Sequence, residues 1–158
     1  MNTVEPKFLC DEMLKGLVKW LRAAGYDTIV GENGVNDHSL LNIAKIESRV
    51  LLTRDRHFKT FVDKADTVIL LDCNSTLACA RELTRYIEIN WLNRPFSRCL
   101  ICNYPLKLAD ESYHVRVPEK SLEFTHEIYR CSQCDKLYWE GTHVRRMKRV
   151  LTRLNIPL

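Results

Sequence analysis

The chain has 158 residues, 46% apolar and 28% charged, enough for one ordinary core plus one small module and unlike a disordered or low-complexity protein. Its formal net charge of +4 points weakly to anionic partners, and no stretch approaches the roughly 18 uninterrupted apolar residues of a membrane span. The N-terminus lacks a basic start followed by an apolar run, and four of the seven cysteines fall into two C-x-x-C pairs. A reducing, cytoplasmic setting with metal binding therefore fits better than a disulfide framework, and no membrane partner is expected.

In chain order, residues 7–10 read as a buried strand ending at Asp11. Leu14, Leu17, Val18 and Leu21 then recur at helical spacing up to a cap at Gly25. Residues 26–30 form a second strand, 31–34 a turn and 37–48 a helix with Leu40, Leu41 and Ala44 on one face. A third strand at 49–53, a short helix or turn at 54–63 and a fourth strand at 67–71 follow. A long helix is expected over 75–92, with Leu77, Ala80, Leu83 or Thr84, Ile87 and Trp91 on one side. Strands alternating with helices predict a parallel sheet, with sites beyond the carboxyl ends of its strands.

The alternation stops near residue 95, so residues 1–95 are expected to form an α/β domain and 96–158 a second module. Cys99 and Cys102, then Cys131 and Cys134, each place two sulfurs on one side of a tight loop, and together they offer four thiolates to one tetrahedral ion. The expected occupant is a structural Zn²⁺ in a ribbon of short hairpin strands. Iron in a rubredoxin-like site uses the same ligands. Cys10, Cys73 and Cys79 are expected as buried thiols. After the ribbon, residues 142–154 read as a basic helix with Val144, Met147, Val150 or Leu151 and Leu154 on its apolar side. Arg145, Arg146, Lys148 and Arg149 are the candidate nucleic-acid contacts, and Tyr104, Tyr138 and Trp139 are either base-stacking or buried aromatics.

Asp11, Asp37 and Asp55 fall after the first strand, at the opening of the second helix and after the third strand. A parallel sheet brings all three to one edge, where grouped carboxylates suit Mg²⁺ or Mn²⁺. Each also precedes a helical segment, so taken singly each reads as a helix cap ahead of a metal ligand.

The runs "FLCDEMLKGLVKWLRAAGYDT", "DHSLLNIAKIESRVLLTRD", "FSRCLICNYPL" and "YRCSQCDKLYWEGTHVRRM" resemble the Mut-seven C-terminal RNase domain. That resemblance implies a PIN-like three-layer α/β sandwich followed by a zinc ribbon and basic helix. It also implies ribonuclease activity dependent on Mg²⁺ or Mn²⁺, with Asp11, Asp37 and Asp55 as catalytic metal ligands. The helix that in many PIN domains carries a further acid does not fit into residues 25–37. The resulting expectation is an endoribonuclease acting on single-stranded RNA, with the ribbon aiding RNA binding. The alternative is a non-catalytic RNA- or ribosome-binding adaptor with a degenerate PIN-like domain.

Overall fold

The apolar runs of the first half are too short for helices and too evenly apolar for half-exposed strands, and in the computed structural model, which describes residues 4–62 and 67–157, they lie inside a parallel sheet. Strands β1 (Phe8–Cys10), β2 (Thr28–Val30), β3 (Val50–Thr53) and β4 (Val68–Leu70) pair in parallel in the order β2-β1-β3-β4. Leu9 lies opposite both Ile29 and Leu51, and this register settles which side chains share a face.

Phe8, Cys10 and Leu52 join one core with α1 (Lys15–Ala23) and α4 (Thr76–Leu83). Leu9, Leu51 and Val68 face the other way, onto Leu40 and Ala44 of α2 (Asp37–Ile46) and onto Phe58, just before α3 (Lys59–Val62). The expected three layers are therefore present. Leu51 and Leu52 are fully buried on opposite faces, so truncating either to alanine should cost about 2–5 kcal/mol. Asp63, the last residue of the expected 54–63 segment, lies outside the described residues.

Two expectations need correction. The helix expected over 75–92 ends at Leu83, because tertiary partners take the residues beyond it. The amides of Tyr86 and Ile87 fold back onto the Leu83 carbonyl, Asn90 N–H donates to the Tyr26 hydroxyl at 2.9 Å, and Trp91 N–H donates to Asn155 Oδ1 at 2.8 Å. Cys73 and Cys79 are a disulfide pair with Cα atoms 5.1 Å apart, since the turn into α4 brings the two residues face to face. Of the three expected thiols, Cys10 alone is a free buried one.

After residue 95 the chain forms an antiparallel sheet of β5 (Leu106–Leu108), β6 (Tyr129–Cys131) and β7 (Leu137–Tyr138) in that order. A 3-10 turn at Glu111–Arg116 and the short α5 (Glu119–Leu122) fill the interval between β5 and β6. Helix α6 (Thr142–Leu154) then returns to the first sheet, where Met147, Leu151 and Leu154 share the core of Leu17, Leu21 and Leu83. Among the described residues no helix is long and apolar enough to cross a membrane.

Candidate active site and metal centre

Both C-x-x-C segments fold into the same knuckle. In the first, Asn103 N–H donates to the Cys99 carbonyl at 3.0 Å and Cys99 N–H donates to the Tyr104 carbonyl at 2.8 Å. In the second, Asp135 N–H donates to Cys131 and Cys131 N–H to Lys136, both at 2.9 Å. The residue after each pair must be left-handed to close the turn, and Asn103 (φ 69°) and Asp135 (φ 63°) fill that place. Asn and Asp are the non-glycine residues that tolerate this region best.

The four sulfurs lie within 4.8 Å of one another, with Cys99–Cys134 at 3.6 Å and Cys102–Cys131 at 3.2 Å. A tetrahedral ion with bonds of about 2.3 Å sets its sulfurs about 3.8 Å apart, so these cysteines are positioned to bind one metal ion and suit structural zinc. Burial opposes ionisation of Cys99, but the Tyr138 hydroxyl at 3.2 Å and knuckle amides outweigh it and lower its pKa. Burial, reinforced by the sulfurs of Cys131 and Cys99, pushes the Cys102 thiol up. Four thiolates crowded together need a cation to coexist. Arg22, buried on α1, supplies nearby positive charge while donating from Nη1 to the carbonyls of Leu100 (3.0 Å) and Ile101 (2.9 Å).

The three aspartates line one cleft of about 160 Å³ at the carboxyl end of the sheet, together with Glu12 and Glu32. Topology accounts for this placement: β2 and β3 flank β1, so the strand order reverses there and the ends of β1 and β3 open a crevice. Asp11 is buried, accepting a short hydrogen bond from Thr53 Oγ1 and a 2.9 Å bond from Met13 N–H. Burial raises its pKa; those two bonds pull against the rise, and Asp55 adds to it. Asp55 accepts from His57 N–H at 3.0 Å and so caps the 3-10 turn at Arg56–Phe58.

Asp37 differs from the other two. The cap of α2 is Asn36, whose Oδ1 accepts from Ser39 N–H at 2.9 Å, and among the described residues the Asp37 carboxylate makes no hydrogen bond. The cleft's described lining contains five acids and no lysine or arginine, a donor set suited to a hard divalent cation. The carboxylates surround the cleft without the mutual approach of the cysteines, the one group of three or more such residues, among the described residues, whose ligand atoms all lie within 4.8 Å of one another. Mg²⁺ keeps several waters and takes one or two carboxylates directly, so a spread set can serve it.

A family model described as Mut7-C RNAse domain matches residues 6–151. The chain belongs to that family. A human protein named "Exonuclease mut-7 homolog" is 28% identical over 101 residues, 61% of this chain and 12% of that protein. The chain therefore spans a small part of that relative's length. No solved structure matches.

The other residues singled out from this Mut7-C sequence are more dispersed. Lys148 is ion-paired with Glu140 at 3.2 Å, Arg145 reaches the Glu140 carbonyl at 3.4 Å, and Arg146 and Arg149 are exposed on α6. Tyr138 is buried against Cys99, which removes it from any stacking role, whereas Tyr104 is exposed and Trp139 half-buried. Sequence reasoning overlooked Thr53, Arg22, Asn103 and Asp135. A polar Thr ending an apolar strand was one available signal, and a turn-forming residue directly after each second cysteine was another.

Proposed function

We propose that this Mut7-C domain is an endoribonuclease acting on single-stranded RNA, dependent on Mg²⁺ or Mn²⁺ held by Asp11, Asp37 and Asp55. The observation that carries this reading is the meeting of the three carboxylates at one cleft, with Asp37 left unspent by capping. A divalent ion bound there would supply Lewis acidity and activate water for in-line attack on a phosphodiester. Asp11 is held in place by Thr53 and the Met13 amide, and Asp55 by the amide of His57, so both present a fixed oxygen edge to the cleft. His57 Nδ1, 3.0 Å from Asp55 Oδ1 on an exposed side chain, stands where a proton could be exchanged with solvent.

In the same proposal Zn²⁺ fills the cysteine site and has no catalytic part, because four thiolates leave no open position. The ribbon and the outward residues of α6, Arg146 and Arg149 foremost, add sequence-independent attraction to the RNA backbone. The test uses single-stranded RNA closed into a circle, incubated with purified protein with and without added Mn²⁺. Mn²⁺-dependent linearisation supports endonucleolytic cleavage. Cleavage of linear RNA alone would make the domain an exonuclease, and no cleavage of either would favour the adaptor reading.

A further inference from the structure

Beside the acidic cleft lies a second feature of the sheet's carboxyl end. Arg54 leaves β3 immediately before Asp55, but while Asp55 lines the cleft, Arg54 lines a groove of about 690 Å³ together with Arg81 and Arg85. Arg81 lies on α4 and Arg85 one helical turn further along the chain. Among the described residues these three guanidinium groups form no ion pair, whereas Arg49, Arg94, Arg116 and Arg130 each hold a carboxylate. Two acids also line the groove. Glu82 spends both oxygens on the Asp72 N–H, at 2.9 and 3.2 Å, which leaves Asp72 as the groove's carboxylate without a hydrogen-bond donor among the described residues.

We propose that this groove seats the backbone phosphates flanking the cut site of a single-stranded nucleic acid, with Arg54, Arg81 and Arg85 each meeting phosphate oxygen. The groove is open, polar and lined by guanidinium forks that match phosphate geometry, whereas a site for a small organic ligand is mostly apolar. It does not end at α4, because Arg81 and Arg85 also line an adjoining hollow with Leu154 and Asn155 at the end of α6. A strand laid from that hollow to Arg54 ends at the residue directly before Asp55, which lines the carboxylate cleft. The placement of the cut phosphate rests on the nuclease reading, while the binding of a polyanion in the groove stands on charge and shape.

The test is equilibrium binding of short labelled oligouridylate and, separately, oligothymidylate to the full chain, with its cysteine site loaded and no Mg²⁺ or Mn²⁺ added. Salt is varied from about 50 to 200 mM. Arg81→Gln/Arg85→Gln should weaken both oligomers about tenfold and reduce the salt slope by about 1.4, the value for two single-strand phosphate contacts. Asp72→Asn should act in the opposite direction and tighten both. Unchanged affinity and slope in the double variant overturns the proposal, as does a loss confined to the RNA arm, which would mean ribose is contacted there instead of phosphate. Should the double variant fail to fold, Asp72→Asn decides alone: tighter binding supports the groove and unchanged binding overturns it. Because no cleavage is measured, an inactive protein that binds through these arginines leaves the inference standing. An active one that binds without them overturns it alone.

Discussion

Asn103 Nδ2 donates to Asp27 Oδ1 at 2.7 Å, and this bond fastens the first cysteine knuckle to the entry of β2. The same side chain accepts from Thr28 N–H at 3.0 Å, while Asp27 also holds the buried Arg49 at 2.8 Å. A residue selected by turn geometry for its left-handed backbone thus doubles as the clamp between the ribbon and the sheet.

Asn103→Gly should separate these two roles. Glycine keeps the left-handed turn but loses both side-chain bonds, so the protein should lose about 1–3 kcal/mol while retaining its metal. Denaturant unfolding and metal analysis of the same sample check this. Asn103→Ala should be worse, because it adds backbone strain to the lost bonds.

The Asp27 carboxyl gives the clamp a pH signature. Burial opposes its ionisation, but the hydrogen bonds from Arg49 and Asn103 prevail and hold its pKa below the ordinary range. A depressed carboxyl contributes stability above its unfolded value of about 3.9, and that contribution is lost as pH falls through the lower folded value. Asp27→Asn should therefore flatten the acid limb of the stability curve below about pH 4, measured as melting temperature against pH. An acid limb identical to wild type would show that the clamp does not depend on this charge.

Tyr138 should tune the metal centre. Its hydroxyl accepts from Leu100 N–H at 3.0 Å and faces Cys99 Sγ at 3.2 Å, favouring the thiolate. Tyr138→Phe removes that donor, so protons should compete with the metal at higher pH, and affinity should fall about 10–100-fold. Competition with a chromophoric chelator across pH reads both effects. Cys131→Ser should abolish metal binding outright, against about one ion per wild-type chain.

How far the sequence foretold this arrangement depended on whether local pattern or tertiary contact governed each segment. Strands such as Leu51–Leu52 and the cysteine knuckles were legible because their signals are short-range: unbroken apolar runs and paired spacing. Residues 84–92 fit helical periodicity equally well, yet Tyr26 and Asn155 from distant parts of the chain draw Asn90 and Trp91 out of the helix. The reach of Asp11, Asp37 and Asp55 to one cleft followed from parallel topology, but the identity of the α2 cap did not. Asn36 and Asp37 are adjacent and both are good caps, and the backbone chose Asn36. The Cys73–Cys79 pairing was hidden because it depends on the angle at which the chain turns into α4.

The choice of cap yields a paired prediction. Asn36→Ala should cost about 1 kcal/mol of stability and leave RNA cleavage intact, since only the amide cap is lost. Asp37→Asn should cost less than that and abolish Mn²⁺-dependent cleavage, because an amide lacks the charge that holds the ion. Thermal unfolding and single-turnover cleavage of both variants, side by side, test the assignment. If the two effects were exchanged, Asp37 would be a structural residue.

The central claim is that the carboxylate cleft cuts RNA, and Asp55→Asn tests it most directly because asparagine can still accept the His57 N–H that Asp55 now caps. The measurement is the rate of cleavage of labelled single-stranded RNA by wild type and variant, with and without Mn²⁺, alongside their melting temperatures. Wild type should show Mn²⁺-dependent cleavage and the variant none, with melting in the absence of Mn²⁺ unchanged or slightly raised as repulsion with Asp11 is relieved. Full cleavage by a folded Asp55→Asn protein would contradict it.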